Sequence, residues 1–150
     1  MHVGNQRWTF SELRGHKNRA VVNSSTIHLV GAMGELAVCK AFGVFWAPTL
    51  DGFKDRADIG TRTDVKTRQT QKHMRDDELE LLVDSRDRDD YQHVLVLARP
   101  DVRRFALVGW IPTREAKEIG RYADPFGHGR PCWIVPQSQL HPLKEIGMPL

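Results

Sequence analysis

Cysteine is scarce in this sequence: its 150 residues contain two, Cys39 and Cys132. Two thiols are too few for a disulfide scaffold, and neither has a second cysteine close by for a thiolate zinc site. They fit a reducing compartment, and each lies in an apolar run with no base beside it, so both read as small buried residues rather than nucleophiles. Long hydrophobic runs are missing as well. No stretch approaches the length of a membrane span, and the charged segment from Met1 to Arg14 lacks the apolar centre of a secretory signal. The seven histidines, His2, His16, His28, His73, His93, His128 and His141, include no pair at metal-ligand spacing, which argues against zinc. There is no internal repeat, low-complexity tract or evident linker, so residues 1–150 are expected to form one domain of a soluble, cytoplasmic protein with no membrane partner.

What is present is charge, and it is blocked rather than mixed. Lys and Arg number 22 against 19 Asp and Glu, a net charge of +3, which permits a polyanionic partner without demanding one. Residues 7–22 carry Arg7, Arg14, Lys17 and Arg19 against Glu12 alone. Residues 62–75 carry Arg62, Lys66, Arg68, Lys72 and Arg75 against Asp64 alone. Residues 76–90 then swing acidic, from Asp76 to Asp90.

Residues 1–28 are polar and weakly patterned, an arm or a short helix around Ser11 to Arg19. Residues 29–43 are the clearest helix, rich in Ala, Leu and Met, with Gly43 as a C-terminal cap. Only Glu35 and Lys40 are charged there, so the helix is expected to be buried nearly all round. Lys40 can reach solvent from the helix end; Glu35, in the middle, needs a partner, a cation or a proton. Residues 44–50 read as a strand ending at Pro48. Residues 57–67 read as a tight hairpin turning at Gly60 and Thr61. Residues 68–90 are ambiguous. Residues 92–98 and 104–110 are apolar strands joined by a turn at 100–103. Pro112 and Thr113 open a short helix that ends at Gly120, a Gly/Pro loop follows, and residues 132–136 form a last strand. A helical turn or two is expected near Leu140 to Ile146. The sum is an α/β fold with a mixed central β-sheet flanked by helices.

Chemistry concentrates at Asp64, Val65 and Lys66. On a strand, residues two apart share a face, so Asp64 and Lys66 project together and Val65 turns the other way. A carboxylate beside an ammonium can hold a hard cation such as Mg²⁺ and orient a water or stabilise charge developing at a phosphate. Glu115-Ala116-Lys117 repeats the pattern, but on an expected helix, where such residues diverge by about 200°. A three-residue loop, Gly60 to Arg62, would pair Ile59 with Thr63 and set Asp58 opposite Asp64; a two-residue loop would put Asp58 on the wrong face. Facing carboxylates repel, and a divalent cation between them relieves the repulsion. A solvated hairpin whose Asp58 caps the turn accounts for the same residues without chemistry. A buried Glu35 that needs a polar partner, and a cation that needs more oxygens, tilt the balance toward a common site.

Taken together, GELAVCKAFG, ADIG and TDVKTR, with DYQHVLVLA and ALVGWIP downstream, resemble the PD-(D/E)XK nuclease superfamily, and most of all its small phage-encoded and Holliday-junction-resolvase-like members. The likeness spans roughly residues 29–136. It implies a restriction-endonuclease-like core and a metal-dependent hydrolysis of phosphodiester bonds, most naturally in DNA. Carried over, Glu35, Asp58, Asp64 and Lys66 are the catalytic set. Glu35, Asp58, Asp64 and the Val65 carbonyl are the ligands of Mg²⁺ or Mn²⁺. The sequence departs from the family in having Ala57 before Asp58 and only five residues between Asp58 and Asp64, so Asp51 or Asp55 could take the place of Asp58. Lys17, Arg19, Arg62, Arg68, Lys72 and Arg75 would contact the nucleic-acid backbone, branched or single-stranded DNA among the candidates. Pairing of two copies would fit a double-strand cut, and a phage-encoded chain would work in the host cytoplasm. A non-catalytic nucleic-acid-binding module on the same fold is the competing expectation. A protein-interaction domain presenting residues 76–90 as its partner surface is a third.

Overall fold

The computed structural model describes residues 24–46, 56–99 and 104–147. Helix α1, Ser24–Phe42, starts five residues earlier than the apolar run suggests and closes at Gly43, whose φ is +64°. The expected strand at 44–50 does not form in its described part: 44–46 are irregular, with Val44 N–H bonded to the Cys39 carbonyl at 2.9 Å to finish the helix. The expected hairpin is reduced to one antiparallel bridge, Ile59 with Thr63, closed by hydrogen bonds of 2.9 and 3.2 Å. Three residues lie between them, and Gly60 takes the left-handed conformation the tight turn requires (φ +59°).

From that bridge runs β1, Thr63–Gln69. It pairs in parallel with β3, Gln92–Arg99, and β3 pairs antiparallel with β4, Arg104–Pro112. The sheet is mixed, in the order β1-β3-β4. Instead of one central sheet there are two. The second, antiparallel and in the order β2-β6-β5, is made of β2, Leu81–Val83, β5, Arg121–Ala123, and β6, Cys132–Val135. Between β4 and β5 lies helix α2, Thr113–Ile119, beginning at Pro112 and ending at Gly120 as expected. The C-terminal part adds short helical turns at Gln137–Gln139 and Leu143–Glu145. No helix among the described residues is long and apolar enough to cross a membrane.

The period of two along β3 explains the layering. Val94 and Val96 face α1 and pack with Val38, Cys39 and Ile59. Leu95 and Leu97 face the second sheet and α2, packing with Leu81, Val83, Val135 and Ala116. Buried on both faces, β3 reads as a continuous apolar run, as parallel-paired central strands do. Register passes the same alternation to β1. Val65 and Thr67 pair with Val94 and Val96 and face α1, while Asp64, Lys66 and Arg68 pair with His93, Leu95 and Leu97 and face the second sheet.

α1 lies close on β1. A Cβ on Gly34 would collide with Thr67 Oγ1 and sit 3.1 Å from the rest of that side chain, so only glycine permits this approach. The start of β1 is held by Gln92, whose buried amide donates to Thr63 Oγ1 (2.8 Å) and to the Gly147 carbonyl (2.7 Å).

Candidate active site

The bridge at Ile59 and Thr63 sets Asp58 beside Asp64 through backbone contacts. The Asp58 N–H donates to Asp64 Oδ1 at 3.3 Å, and Asp58 Oδ2 accepts the Val65 N–H at 2.8 Å. Asp58 thus satisfies an N–H on the side of β1 that carries no strand among the described residues. Burial, then the neighbouring charge of Asp58, pushes the Asp64 carboxyl up to about 7, against the opposing pull of Lys66 and the hydrogen bond from Asp58.

Glu35 is buried on α1, 5% exposed, and accepts a hydrogen bond from Trp46 Nε1 at 3.2 Å. Its charge, after burial, raises the thiol pKa of Cys39, so that thiol stays protonated and inert. Burial likewise raises Cys132; both cysteines are free and buried. Although α1 and the Asp64 side chain lie on opposite faces of the first sheet, a cleft of about 490 Å³ opens at the β1 edge. Glu35, Asp58, Val65, Lys66, Thr67 and Arg68 all line it. Asp64 adjoins it through Asp58. Among the described residues no three His, Cys, Asp or Glu side chains converge closely enough to enclose an ion. Asp51 and Asp55, the alternatives to Asp58, lie outside the described residues.

Lys66 turns to a residue that the sequence pattern does not single out. Its Nζ is 2.9 Å from Asp87 Oδ2, and that oxygen also accepts the Asp84 N–H at 2.8 Å. The Asp87 carbonyl in turn accepts Lys117 Nζ at 3.0 Å. The second acid-x-Lys match splits as a helix requires: Lys117 goes to Asp87 and Asp89, and Glu115 goes to His141. Beside Asp64 across the strands, His93 is fully buried, with Nε2 2.7 Å from Thr113 Oγ1. Burial, then the Lys66 charge, lowers its pKa to about 3, so it is neutral.

The basic residues fare unequally. Lys17 and Arg19 lie outside the described residues. Arg62 and Lys72 are exposed and form no ion pair among the described residues. Arg68 is half-buried and donates to the Glu80 carbonyl at 2.7 Å, which makes it a tie between β1 and the approach to β2 rather than an open phosphate ligand. Arg75 is clamped by Asp77 through two hydrogen bonds of 2.9 and 2.6 Å, so much of its charge is already neutralised.

The acidic stretch 76–90 is not an open acidic face. Asp84 meets Arg86, Asp90 meets Arg88, Asp89 meets Lys117 and Asp76 meets Arg99. A signal for this was present: three acid–arginine pairs lie two residues apart in a turn-rich segment. For Asp87, 21 residues from Lys66, no local signal exists. Compared with protein-family models, with curated proteins and with solved structures, the chain matches none.

Proposed function

We propose that the chain is a metal-dependent nuclease that hydrolyses phosphodiester bonds, in DNA before RNA, on a restriction-endonuclease-like core. The observation that carries this reading is the cleft at the β1 edge. Three residue types that phosphodiester hydrolysis needs line it or adjoin it: the Asp58–Asp64 carboxylate pair, Glu35 from α1, and the Lys66 ammonium.

The donor set suits Mg²⁺ or Mn²⁺. Such an ion takes one or two hard carboxylates and fills its remaining positions with water and substrate phosphate, so an enclosing cage is not required. Asp58 and Asp64 would hold it, with Glu35 and the Val65 carbonyl as further oxygen donors. When bound it supplies a water of lowered pKa and charge neutralisation at the phosphate. The raised pKa of Asp64, caused first by burial and then by the charge of Asp58, supports the fit, because a buried carboxylate beside a second one is eased by a proton or a cation.

The chain's own groups have separable tasks. Lys66, held by Asp87, presents its ammonium to charge developing on a phosphate oxygen. Glu35, buried and oriented by Trp46, accepts a hydrogen bond from the attacking water. Arg62 and Lys72 give exposed positive charge for the backbone on either side.

The non-catalytic binding module is favoured by one observation, the engagement of Lys66 with Asp87. One experiment separates the two readings. Duplex, single-stranded and branched DNA are incubated with Mg²⁺, Mn²⁺ or EDTA, beside Lys66→Ala. Cutting that needs metal and is lost in the variant supports the nuclease. Binding without cutting in any metal supports the module.

A further inference from the structure

The Gly/Pro loop between β5 and β6 is a built element. The Asp124 carboxylate accepts the N–H of Gly129 at 2.7 Å and of His128 at 3.3 Å, and Gly127 and Gly129 take φ of +65° and +72°. So fixed, the loop holds Phe126 60% exposed, with the His128 ring stacked beside it at 6.3 Å between centroids and 23° between planes. At the foot of the loop Tyr122 is 55% exposed against Trp133, at 4.7 Å. Exposing a large aromatic ring on a rigid loop costs hydrophobic free energy, and core packing gives no reason for it.

Arg130, exposed at the end of the loop, forms no ion pair among the described residues, while Arg121 on β5 lies 3.9 Å from Glu80 Oε1. The loop also springs from a telling place. Ala123 pairs with Cys132 and Val83 with Trp133, so the ends of β5 and β2 and the start of β6 lie side by side. The turn that follows β2 holds Asp84 and Asp87, and Asp87 grips Lys66. Two strand spacings, about 10 Å, separate the root of that turn from the root of the aromatic loop.

We propose that the Asp124–Arg130 loop is a stacking element for an unpaired nucleic-acid strand, with the Phe126 ring taking a base face and Arg130 taking a phosphate. Every base has a π-face but only an unpaired one can offer it to a side chain, so this loop selects single strands, frayed ends or branch points over intact duplex. The location of the cut beside this strand rests on the nuclease reading; the binding does not.

The test uses the full chain in EDTA with fluorescein-labelled single strand and blunt duplex of one sequence, read by anisotropy over a series of salt concentrations. Phe126→Ala weakens single-strand binding about tenfold, leaves duplex binding and the salt slope unchanged, and Phe126→Trp restores affinity. Arg130→Ala lowers the salt slope by about one. Thermal melts of the variants match the parent, since Phe126 is exposed. The inference is overturned by an unchanged single-strand affinity in Phe126→Ala, by an equal loss on duplex, by a parent protein that binds neither DNA, or by Phe126→Ala acting only on self-association. Metal-dependent cutting with an inert Phe126 sinks this inference alone. A functional Phe126 without cutting in Mg²⁺ or Mn²⁺ sinks the nuclease reading alone.

Discussion

Asp64 and Asp84 are the same residue type in neighbouring parts of the molecule, and the protein treats them oppositely. Asp64, at the head of β1, is pushed up to about 7 by burial and by Asp58. Asp84, in the turn after β2, is pulled down to about 2 by hydrogen bonding from the Arg86 side chain. The 75–90 belt matches its acids to its own arginines and to Arg99 and Lys117 from neighbouring elements, and its charges are thereby spent on structure. The head of β1 gathers carboxylates against each other, with the nearest amine committed to Asp87. Asp58 has a structural task in accepting the Val65 N–H, but burying Asp64 beside it costs stability, which makes the head of β1 the place to look for chemistry.

The contrast breaks most sharply on activity. Asp64→Asn or Lys66→Ala is expected to lower metal-dependent cutting on the order of 10³-fold, while Asp84→Asn leaves it within a few-fold; single-turnover cleavage of labelled DNA reads both. Asp87→Ala releases Lys66 and strips the Asp84 N–H of its acceptor. Its cost is about 1–3 kcal/mol in urea unfolding, and kcat falls more than KM rises.

The next effect is pH-dependent. The folded chain keeps a proton on Asp64 up to about pH 7, whereas the unfolded chain loses it near the ordinary aspartate value of 3.8. Stability therefore falls as pH rises between those values. In metal-free buffer Asp64→Asn removes this fall and is about 1–3 kcal/mol more stable than the parent at pH 8. If Mg²⁺ takes the place of the proton, as the nuclease reading requires, its thermal shift is larger at pH 8 than at pH 5 in the parent and absent in the variant. Asp84→Asn behaves in the opposite sense, losing up to about 1 kcal/mol at neutral pH, with the difference vanishing in acid.

Glycines on α1 sharpen the picture of how the head of β1 is held. Gly34→Ala forces α1 away from Thr67 and costs about 1–3 kcal/mol, whereas a Cβ at Gly31 meets nothing within 4 Å, so Gly31→Ala stabilises by about 0.5–1 kcal/mol. Chemical denaturation of the pair measures both.

What was legible in the sequence follows the range of the interactions. α1, β3, β4 and α2 are written in local terms: apolar density, an unbroken apolar run, a Pro start and a Gly stop. The three-residue turn that opposes Asp58 and Asp64 is equally local, because loop parity fixes which face a residue takes. The second sheet is not. Leu81–Val83 and Arg121–Ala123 are three residues each, too short for a period to show, and become strands only because Cys132–Val135 lies between them. The parallel pairing of β1 with β3 is likewise set by the layers that cover them rather than by either segment. The site divides the same way: the Asp58–Asp64 pair was readable, while the Asp87 partner of Lys66 and the Trp46 partner of Glu35 arise only from the packed fold. The pairing in the acidic stretch runs at a spacing of two residues, which a block of like charge hides.

The Asp58 hydrogen bond to the Val65 N–H has a consequence beyond the site. Among the described residues β1 is an outer strand, and an outer strand with open N–H groups recruits strands from other molecules. The Asp58 carboxylate therefore guards against aggregation as well as lining the cleft. A chain that traded Asp58 for an apolar residue would become adhesive along that edge, so on the nuclease reading a loss of this carboxylate would carry a solubility penalty from the first step.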